Sequence, residues 1–443
     1  MKGVTMIGNN YYRGKPENTH LMVVLKMSLM KYVVFFLVLI LSGCASPSGV
    51  SSSDPDNASS DATGDSSPTP VDPQHVAQAN NAFAFDLYKK INSEGTNLFF
   101  SPYSISSALA MTYSGAKGAT RQQMSEVLGF YSDNPTHARG YHSLQKHLDS
   151  LNREELQLNM ANSLWCQQDY DFQRDFLDIN RDYFSAAIRQ VNFKSQYQKV
   201  RKHINQWVEE QTNQKIKDLI DQGVLDRMTR MVLVNAIYFN GKWEHPFSED
   251  QTRQDTFYPT ATQEIKVPFM NQSIWVPYHE EQLYKAVEIP YSNGELSMLI
   301  LLPARHADMS ELESKMNGAF YENLTDSMRR QKVNLTIPRF KLQAKYQLND
   351  PLRQMGMTSA FDGEADFSGM TGDKDLYISE VVHQSFVEVN EEGTEAAAAT
   401  GVVMRKTSVL ASKSLKADHP FLFMIRDQKT HAILFMGKMQ NPK

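Results

Sequence analysis

The most informative run of this chain reads Glu391-Glu392-Gly393-Thr394-Glu395-Ala396-Ala397-Ala398-Ala399-Thr400. Small side chains can be exposed in a loop at little hydrophobic cost, and they can also fit between two existing strands. Because side chains alternate along a strand, two sets would face opposite ways: Thr394, Ala396, Ala398 and Thr400 on one face, and Glu395, Ala397 and Ala399 on the other. The run predicts an insertable loop; a solvated linker or a short helix is the alternative, because alanine is the best helix former.

The flanking sequence adds a strand and a protease-sensitive segment to this run. An alternating, strand-like segment from His383 to Asn390 precedes it. Residues 401–408 follow it and carry two adjacent basic residues, Arg405 and Lys406. A row of small side chains that ends in a cleavable sequence suggests a loop whose cleavage alters the structure around it.

Composition and motifs exclude several classes of function. The chain has 443 residues, 41% of them hydrophobic, and a net charge of -5, which allows a large core but lacks the basic character of a nucleic-acid-binding protein. Its cysteines are Cys44 and Cys166, so the folded body has one thiol. The sequence contains no Gly-x-Ser-x-Gly, His-Glu-x-x-His, Cys-x-x-Cys or phosphate-loop motif. We expect no enzyme activity, no metal, no cofactor and no nucleic-acid partner.

Residues 1–44 are typical of an export signal. Lys31 precedes a ten-residue apolar run, residues 32–41, which is too short to span a bilayer as a helix. Leu41-Ser42-Gly43-Cys44 then resembles a bacterial lipoprotein box, in which Cys44 is lipidated and becomes the mature N-terminus. An ordinary signal peptide with an unrelated cysteine is the alternative. Residues upstream of Met27 fit a signal poorly, so Met27 or Met30 is a better start.

Residues 45–74 predict a disordered tether, because Ser, Asp, Pro, Gly, Ala and Thr dominate them and cannot bury enough apolar surface to become ordered. The signal and the tether together predict an exported protein that a lipid on Cys44 holds at a bacterial membrane, in the outer membrane or at the cell surface.

From residue 75 to residue 443 the sequence predicts one α+β domain, because helical patterns cluster early and strands late. Helices are predicted over residues 79–91, from an N-cap at Ser101 through Met111, and over residues 202–220. Residues 231–239 form a nearly continuous apolar run, which suits a strand buried on both faces. Further strands are predicted over residues 296–302, 333–337, 421–425 and 433–437.

Five separated motifs, in order along residues 75–443, are similar to those of the serpin superfamily of serine-protease inhibitors. They are NLFFSPYS (97–104), NQWVE with TNQKI (205–209 and 212–216), LVNAIYFNGKW (233–243), LKADHPFLFMI (415–425), and FMGK with Asn441-Pro442 (435–442). The chain therefore resembles a serpin, and its leader suggests a bacterial lipoprotein-type inhibitory serpin, miropin-like.

The resemblance implies a fold of three β-sheets and about nine helices with an exposed reactive-centre loop. A protease cleaves the loop and forms an acyl-enzyme; the loop then inserts into the main sheet and distorts the captured enzyme before deacylation. The hinge would comprise Glu391 and the residues from Gly393 to Thr400. The expected partners are target proteases, and the expected state is a monomer.

The resemblance also implies a position for the cleaved bond. The family spacing from Gly393 places it near residue 407, so the candidates are Arg405-Lys406, Lys406-Thr407 and Thr407-Ser408. We favour Lys406-Thr407, because a lysine suits the acidic specificity pocket of a trypsin-like enzyme. For Arg405 and Lys406 the alternative is a solvated charge pair.

Further positions match the part of the family's main sheet that opens. Ser101, Ser104, Asn235 and His383 match a hydrogen-bonded shutter; helix capping and satisfied core polar groups are the alternatives. Trp243 matches the tryptophan at the top of the sheet, where insertion begins. Glu391 matches a hinge acid that often pairs with a lysine, but the corresponding region here contains Pro290, so its partner is open.

A non-inhibitory carrier or chaperone is the alternative function within the family. Such members usually carry proline or bulky residues in the hinge, whereas this hinge contains neither. The sequence therefore favours an inhibitor.

Overall fold

The computed structural model describes residues 73–131, 134–305, 308–394 and 412–443. Several predicted features lie outside these ranges: Cys44, the tether, hinge residues Glu395 to Thr400, and the bond candidates Arg405, Lys406, Thr407 and Ser408. Within the ranges, no helix is both long and apolar enough to cross a membrane.

Ten α-helices occur in the described ranges, close to the number that the resemblance implies. They are α1 (Pro73–Ile91), α2 (Pro102–Tyr113), α3 (Gly118–Leu128), α4 (Asn134–Asp149), α5 (Arg174–Phe184), α6 (Phe193–Gln211), α7 (Met309–Lys315), α8 (Gly318–Ser327), α9 (Asn349–Met355) and α10 (Ser368–Thr371).

The strands are concentrated in the second half of the chain, as an α+β organisation predicts. They are β1 (Leu98–Phe100), β2 (Leu156–Gln167), β3 (Ala187–Val191), β4 (Met231–Lys242), β5 (Arg253–Thr260), β6 (Gln263–Glu280), β7 (Tyr284–Pro290), β8 (Leu296–Pro303), β9 (Arg329–Pro338), β10 (Phe340–Gln347), β11 (Glu380–Val389), β12 (Gly393–Thr394), β13 (Lys413–Lys416), β14 (Phe421–Asp427) and β15 (Ile433–Met439).

Local capping explains where α2 begins. Ser101 has an extended backbone, and its hydroxyl accepts a hydrogen bond of 3.2 Å from the backbone N–H of Ser104. Pro102 occupies the first helical position, where a missing N–H costs nothing. The start of this helix is therefore as predicted.

The helix predicted over residues 202–220 is wrong at both ends. The observed α6 begins earlier, where the side chain of Asn192 caps it. It also ends earlier, because the Thr212 hydroxyl donates to the Val208 carbonyl and competes with helix continuation. Asn213 and Gln214 then adopt positive φ angles of 49° and 64°, which no right-handed helix accommodates.

Six strands form the main sheet, in the order β10-β11-β12-β4-β2-β3. β4 is buried on both faces, as its continuous apolar run predicts. Its odd-numbered residues, such as Leu233 and Ile237, join the large core, while the even-numbered Val232, Val234 and Ala236 join a smaller apolar cluster. The main sheet therefore lies between the large core on one side and the smaller apolar cluster on the other.

The remaining nine strands form a second sheet, because β6 connects two parts that the resemblance implies as separate sheets. β6 has 18 residues. Its first half pairs with β5, its last residues pair with β7, and β9 runs along it from Phe269 to Tyr278. The described strands thus form two hydrogen-bonded networks in place of three sheets, and α1 and α2 contact β15 beneath the main sheet.

Candidate functional site: the hinge and the seam of the main sheet

The first hinge residues already form part of the main sheet. Gly393 and Thr394 form β12 between the ends of β11 and β4. Thr394 lies opposite Gly241 of β4 and Val389 of β11, and β12 is antiparallel to both strands. Its side chain is fully buried, and its hydroxyl forms a 2.7 Å hydrogen bond with the hydroxyl of Tyr291. The chain therefore enters the sheet before any cleavage.

Backbone contact explains the glycine at position 393. A Cβ atom there would collide with the carbonyl of Gly241 and would lie only 2.6 Å from the Cα of Lys242. Only glycine allows two backbones to approach this closely.

Below β12, β11 and β4 pair directly with each other. We call this line of contact the seam; it runs parallel from Glu380 opposite Val232 to Phe386 opposite Tyr238. Partners along the seam differ by 148 in residue number, and Val389 and Gly241, which flank Thr394, differ by the same amount. β11 and β4 therefore keep one alignment whether or not a strand lies between them, and separating them requires no sliding.

Trp243 lies where the sequence places it, at the end of β4 beside the hinge. Its indole stacks on Tyr291 with ring centroids 4.6 Å apart, and its ring N–H donates to the carbonyl of Asn390 at 3.0 Å. Its backbone N–H donates to the carbonyl of Glu392 at 2.8 Å. Trp243 thus holds the chain just before β12.

The partner of Glu391, which the sequence left open, is Arg339. The Glu391 side chain is 4% exposed and accepts hydrogen bonds from Arg339 at 2.5 Å and from the Thr252 hydroxyl at 2.6 Å. Burial disfavours the charge, but these two donors outweigh burial and hold the pKa of Glu391 below its ordinary value. Glu391 is therefore ionised at neutral pH and anchors the turn before β12.

Four polar residues predicted for the shutter meet beneath the seam. Nε2 of His383 accepts a 3.1 Å hydrogen bond from the backbone N–H of Ser101, so Nδ1 carries the proton and donates to Oδ1 of Asn235. The Asn235 amide donates in turn to the carbonyl of Ser104 at 2.8 Å and to its hydroxyl. Ser101 is also the N-cap of α2, so this residue both caps the helix and belongs to the hydrogen-bonded cluster.

Burial lowers the pKa of His383 to about 3. The hydrogen bonds of His383 also favour the neutral ring. A proton on Nε2 would face the N–H of Ser101, and two donors cannot bond to each other. The imidazole is therefore neutral, and His383 and Asn235, which are partners across the seam, are joined by their side chains as well as their backbones.

The outer side of the seam is covered by α6 and the segment that follows it. Val200, Ile204 and Val208 of α6 are buried in one apolar cluster with alternate residues of β4 and with Val382 and Phe386 of β11. The side chain of Asn205 bonds both the N–H of Ile220 (2.8 Å) and its carbonyl (2.9 Å), which holds the following segment against α6. A strand that enters the seam must displace this cover.

Comparison with known proteins identifies the family. The family model for Serpin (serine protease inhibitor) matches residues 78–442. The chain is a serpin. Human Serpin B8 is 42% identical over 375 residues, 83% of this chain and 99% of that relative. An uncharacterized serpin-like protein of Thermococcus kodakarensis is 40% identical over 83% of this chain and 86% of its own length. The crystal structure of Serpin48 from Tenebrio molitor shares 33% identity at a TM-score of 0.76, covering 84% and 99% of the two chains.

The family assignment confirms the serpin fold and places this serpin among protease inhibitors, not enzymes. Within the described ranges, no group of three or more potential metal ligands occurs. Cys166 is buried, and burial raises the pKa of its thiol, so it is not poised as a nucleophile. The roles of the hinge and shutter residues stay predictions, although the contacts of Glu391, Trp243, Asn235 and His383 suit them.

A histidine that is neutral when folded predicts acid sensitivity. The folded pKa of His383 lies below its unfolded value of about 6.5. Its stabilising contribution is therefore complete above about pH 6.5 and declines, by up to about 1.4 kcal/mol per pH unit, as the pH falls toward 3. We expect the urea midpoint of the wild type to fall more between pH 7.5 and pH 5 than that of His383→Gln.

The exposed His245 provides the control for this experiment. His245→Gln should keep the pH dependence of the wild type. If His383→Gln also keeps it, His383 does not set the acid sensitivity of the sheet.

Proposed function

We propose that this serpin inhibits serine proteases of trypsin-like specificity by inserting its cleaved loop into the seam. The observation that carries the proposal is the state of the main sheet: two hinge residues lie between β11 and β4, while the same strands are closed below them in an identical alignment. A sheet in this state already holds the first part of a missing strand and has an aligned place for the rest.

The register of β12 defines where each later residue would lie. If the cleaved loop continued this register from Thr394, Ala396 would lie opposite Phe239, Ala398 opposite Ile237 and Thr400 opposite Asn235. Phe239 and Ile237 belong to the large core, and in a close-packed core an inserted methyl group would need less rearrangement than a large side chain. The alternation of small residues read from the sequence therefore fits the environment that this register would give them.

The same register matches the length of the loop to the length of the strand. Met404 would lie opposite Met231, the first residue of β4, so the favoured bond Lys406-Thr407 lies two residues beyond the last residue that β4 could pair with. Cleavage there would free a segment long enough to fill the seam. Arg405-Lys406 and Thr407-Ser408 differ by one residue and stay alternatives.

Insertion would exchange one parallel ladder for two antiparallel ladders. Antiparallel pairing is slightly more stable per residue than parallel pairing, and each backbone hydrogen bond contributes about 1 kcal/mol net. The closed state would then persist because of a barrier and not because it has the lowest free energy. Opening must break the seam, separate His383 from Asn235 and displace the cover, and these contacts would supply that barrier.

Incubation with trypsin tests the proposal. We expect a covalent complex that survives SDS, and mass spectrometry should find a released C-terminal peptide that begins at Thr407. Lys406→Ala should reduce the rate of complex formation at least about tenfold, because the specificity pocket loses its cation, whereas Arg405→Ala should change it little. Stoichiometric cleavage of the wild type without any complex would indicate a substrate and exclude the inhibitory mechanism.

Thr394→Arg should convert the inhibitor into a substrate. Thr394 is fully buried beside Tyr291, and an arginine there would have to enter the sheet or hold β12 out of it. Cleavage by trypsin should continue while the fraction of covalent complex falls sharply on a gel. Ala398→Arg should act in the same way without touching that contact, and Thr358→Arg, at an exposed position, is the control. Normal complex formation by both hinge variants would contradict insertion.

We also propose that this serpin is a bacterial lipoprotein, of the miropin-like type, attached to the cell envelope through Cys44. The support is the apolar run that ends in Leu41-Ser42-Gly43-Cys44, followed by the polar residues 45–74. Expression in a bacterial host with a labelled fatty acid should label the protein and place it in the membrane fraction. Cys44→Ala should lose both, and an unlabelled wild type would exclude the anchor.

A further inference from the structure

A cavity lies between the cover and the main sheet, beside the seam. Its volume is about 280 Å³, close to the ~300 Å³ at which pockets for small molecules usually begin. Val382 of β11 lines it, and this residue pairs with Val234 across the seam. Leu219, Ile220 and Val224 of the cover line it as well. The cavity therefore touches both parts that must separate when a strand enters the seam.

Two polar side chains of β10, those of Lys345 and Gln347, line the exposed edge of this cavity. They are two residues apart, so they share one face of the strand. Gln347 lies directly opposite Val382 in the β10–β11 ladder, which places its side chain next to the apolar lining. Within the described ranges, no hydrogen bond involves the side chain of Gln347. Its amide can therefore both donate to a ligand and accept from one.

The charge of Lys345 is balanced, but one of its hydrogen-bond donors remains for a ligand. Its ammonium donates to the carboxylate of Asp221 at 2.6 Å and to the carbonyl of Asp218 at 3.1 Å. An ammonium has three donors, and its contacts in the described part of the chain use two of them. Asp221 also lines the cavity, so it would repel a carboxylate. The edge of the cavity therefore favours a neutral acceptor.

An amide group with an apolar body fits these walls. Its carbonyl would accept from Lys345, and its N–H would donate to the side-chain carbonyl of Gln347. The two residues are about 7 Å apart along the strand, and both side chains are long enough to converge on one amide group. The apolar body would lie against Leu219, Ile220 and Val382. Burial of this body would supply most of the affinity, and the two hydrogen bonds would supply selectivity.

We propose that this cavity binds a small neutral amide and that the bound ligand keeps the seam closed, an effect that rests on the proposed function. A ligand that touches both Val382 and the cover binds only while the cover lies on the sheet, so it stabilises the closed state selectively. Occupancy slows insertion of the cleaved loop without preventing cleavage. The captured protease then has more time to deacylate, and more of the serpin is consumed as a substrate.

Isothermal titration with N-methylbenzamide and methyl benzoate tests the site. The two probes have the same shape, but methyl benzoate has an oxygen in place of the N–H. N-methylbenzamide should bind with a dissociation constant of about 1 mM or lower, and methyl benzoate about fivefold more weakly, because it cannot donate to Gln347. In Gln347→Met the two probes should bind alike. Lys345→Met should weaken the binding of both about tenfold, because both carry the carbonyl.

The same strand provides matched control variants. Lys341→Met and Gln343→Met change the same residue types at exposed positions on the same face of β10, outside the lining of the cavity. Both should bind the two probes as the wild type does. If N-methylbenzamide does not bind, or if Lys345→Met and Gln347→Met bind the probes as these controls do, the cavity is not the proposed site.

The effect on the seam is measured as the fraction of covalent complex formed with trypsin. With N-methylbenzamide at ten times its dissociation constant, insertion should slow about tenfold, and the stoichiometry of inhibition should rise in the wild type and in Lys341→Met but much less in Lys345→Met. Hydrolysis of a small substrate by trypsin, with the probe present, is the control for the protease itself.

The outcomes separate the site from the proposed function. Unchanged complex formation by the wild type, despite binding of the probe, would exclude the effect on the seam. If the wild type forms no complex even without the probe, the proposed function fails, and the effect on insertion fails with it. The titration would then still decide whether the cavity binds the amide.

Discussion

The direct pairing of β11 with β4 is the contact on which the rest of this structure depends. Both strands are buried on both faces over most of their length, and β12 inserts between them only at one end. Their parallel register continues unchanged past the two inserted residues. The two strands are hydrogen-bonded to each other, and their alignment would also suit another strand placed between them.

Different interactions hold the two sides of this pairing closed. On the inner side His383 and Asn235 form a hydrogen-bonded chain that reaches Ser101 and Ser104 at the start of α2. On the outer side the contact is apolar, between α6 with its following segment and alternate residues of the two strands. Polar contacts have specific geometry, while apolar contacts depend on area. Acid should therefore weaken the inner side selectively, through His383, and leave the outer cover intact.

The sequence predicted the elements with strong patterns and missed the contacts made between distant segments. The continuous apolar run of β4 and the Ser101-Pro102 start of α2 were sufficient to place those elements. The end of α6 was missed because positive φ angles at Asn213 and Gln214 leave little trace in composition. Arg339 was missed as the partner of Glu391 because 52 residues separate them and only the folded sheet brings them together.

The length of β4 determines how far an inserted strand could extend along the main sheet. Its 12 residues extend for about 40 Å at the usual rise of a strand. A peptide that paired with β4 residue by residue, from Gly241 toward Met231, would move its far end by about this distance. Each intermediate position would keep the same register. Under the proposed mechanism, the folded chain would supply the work of this movement, and cleavage of the peptide bond would only start it.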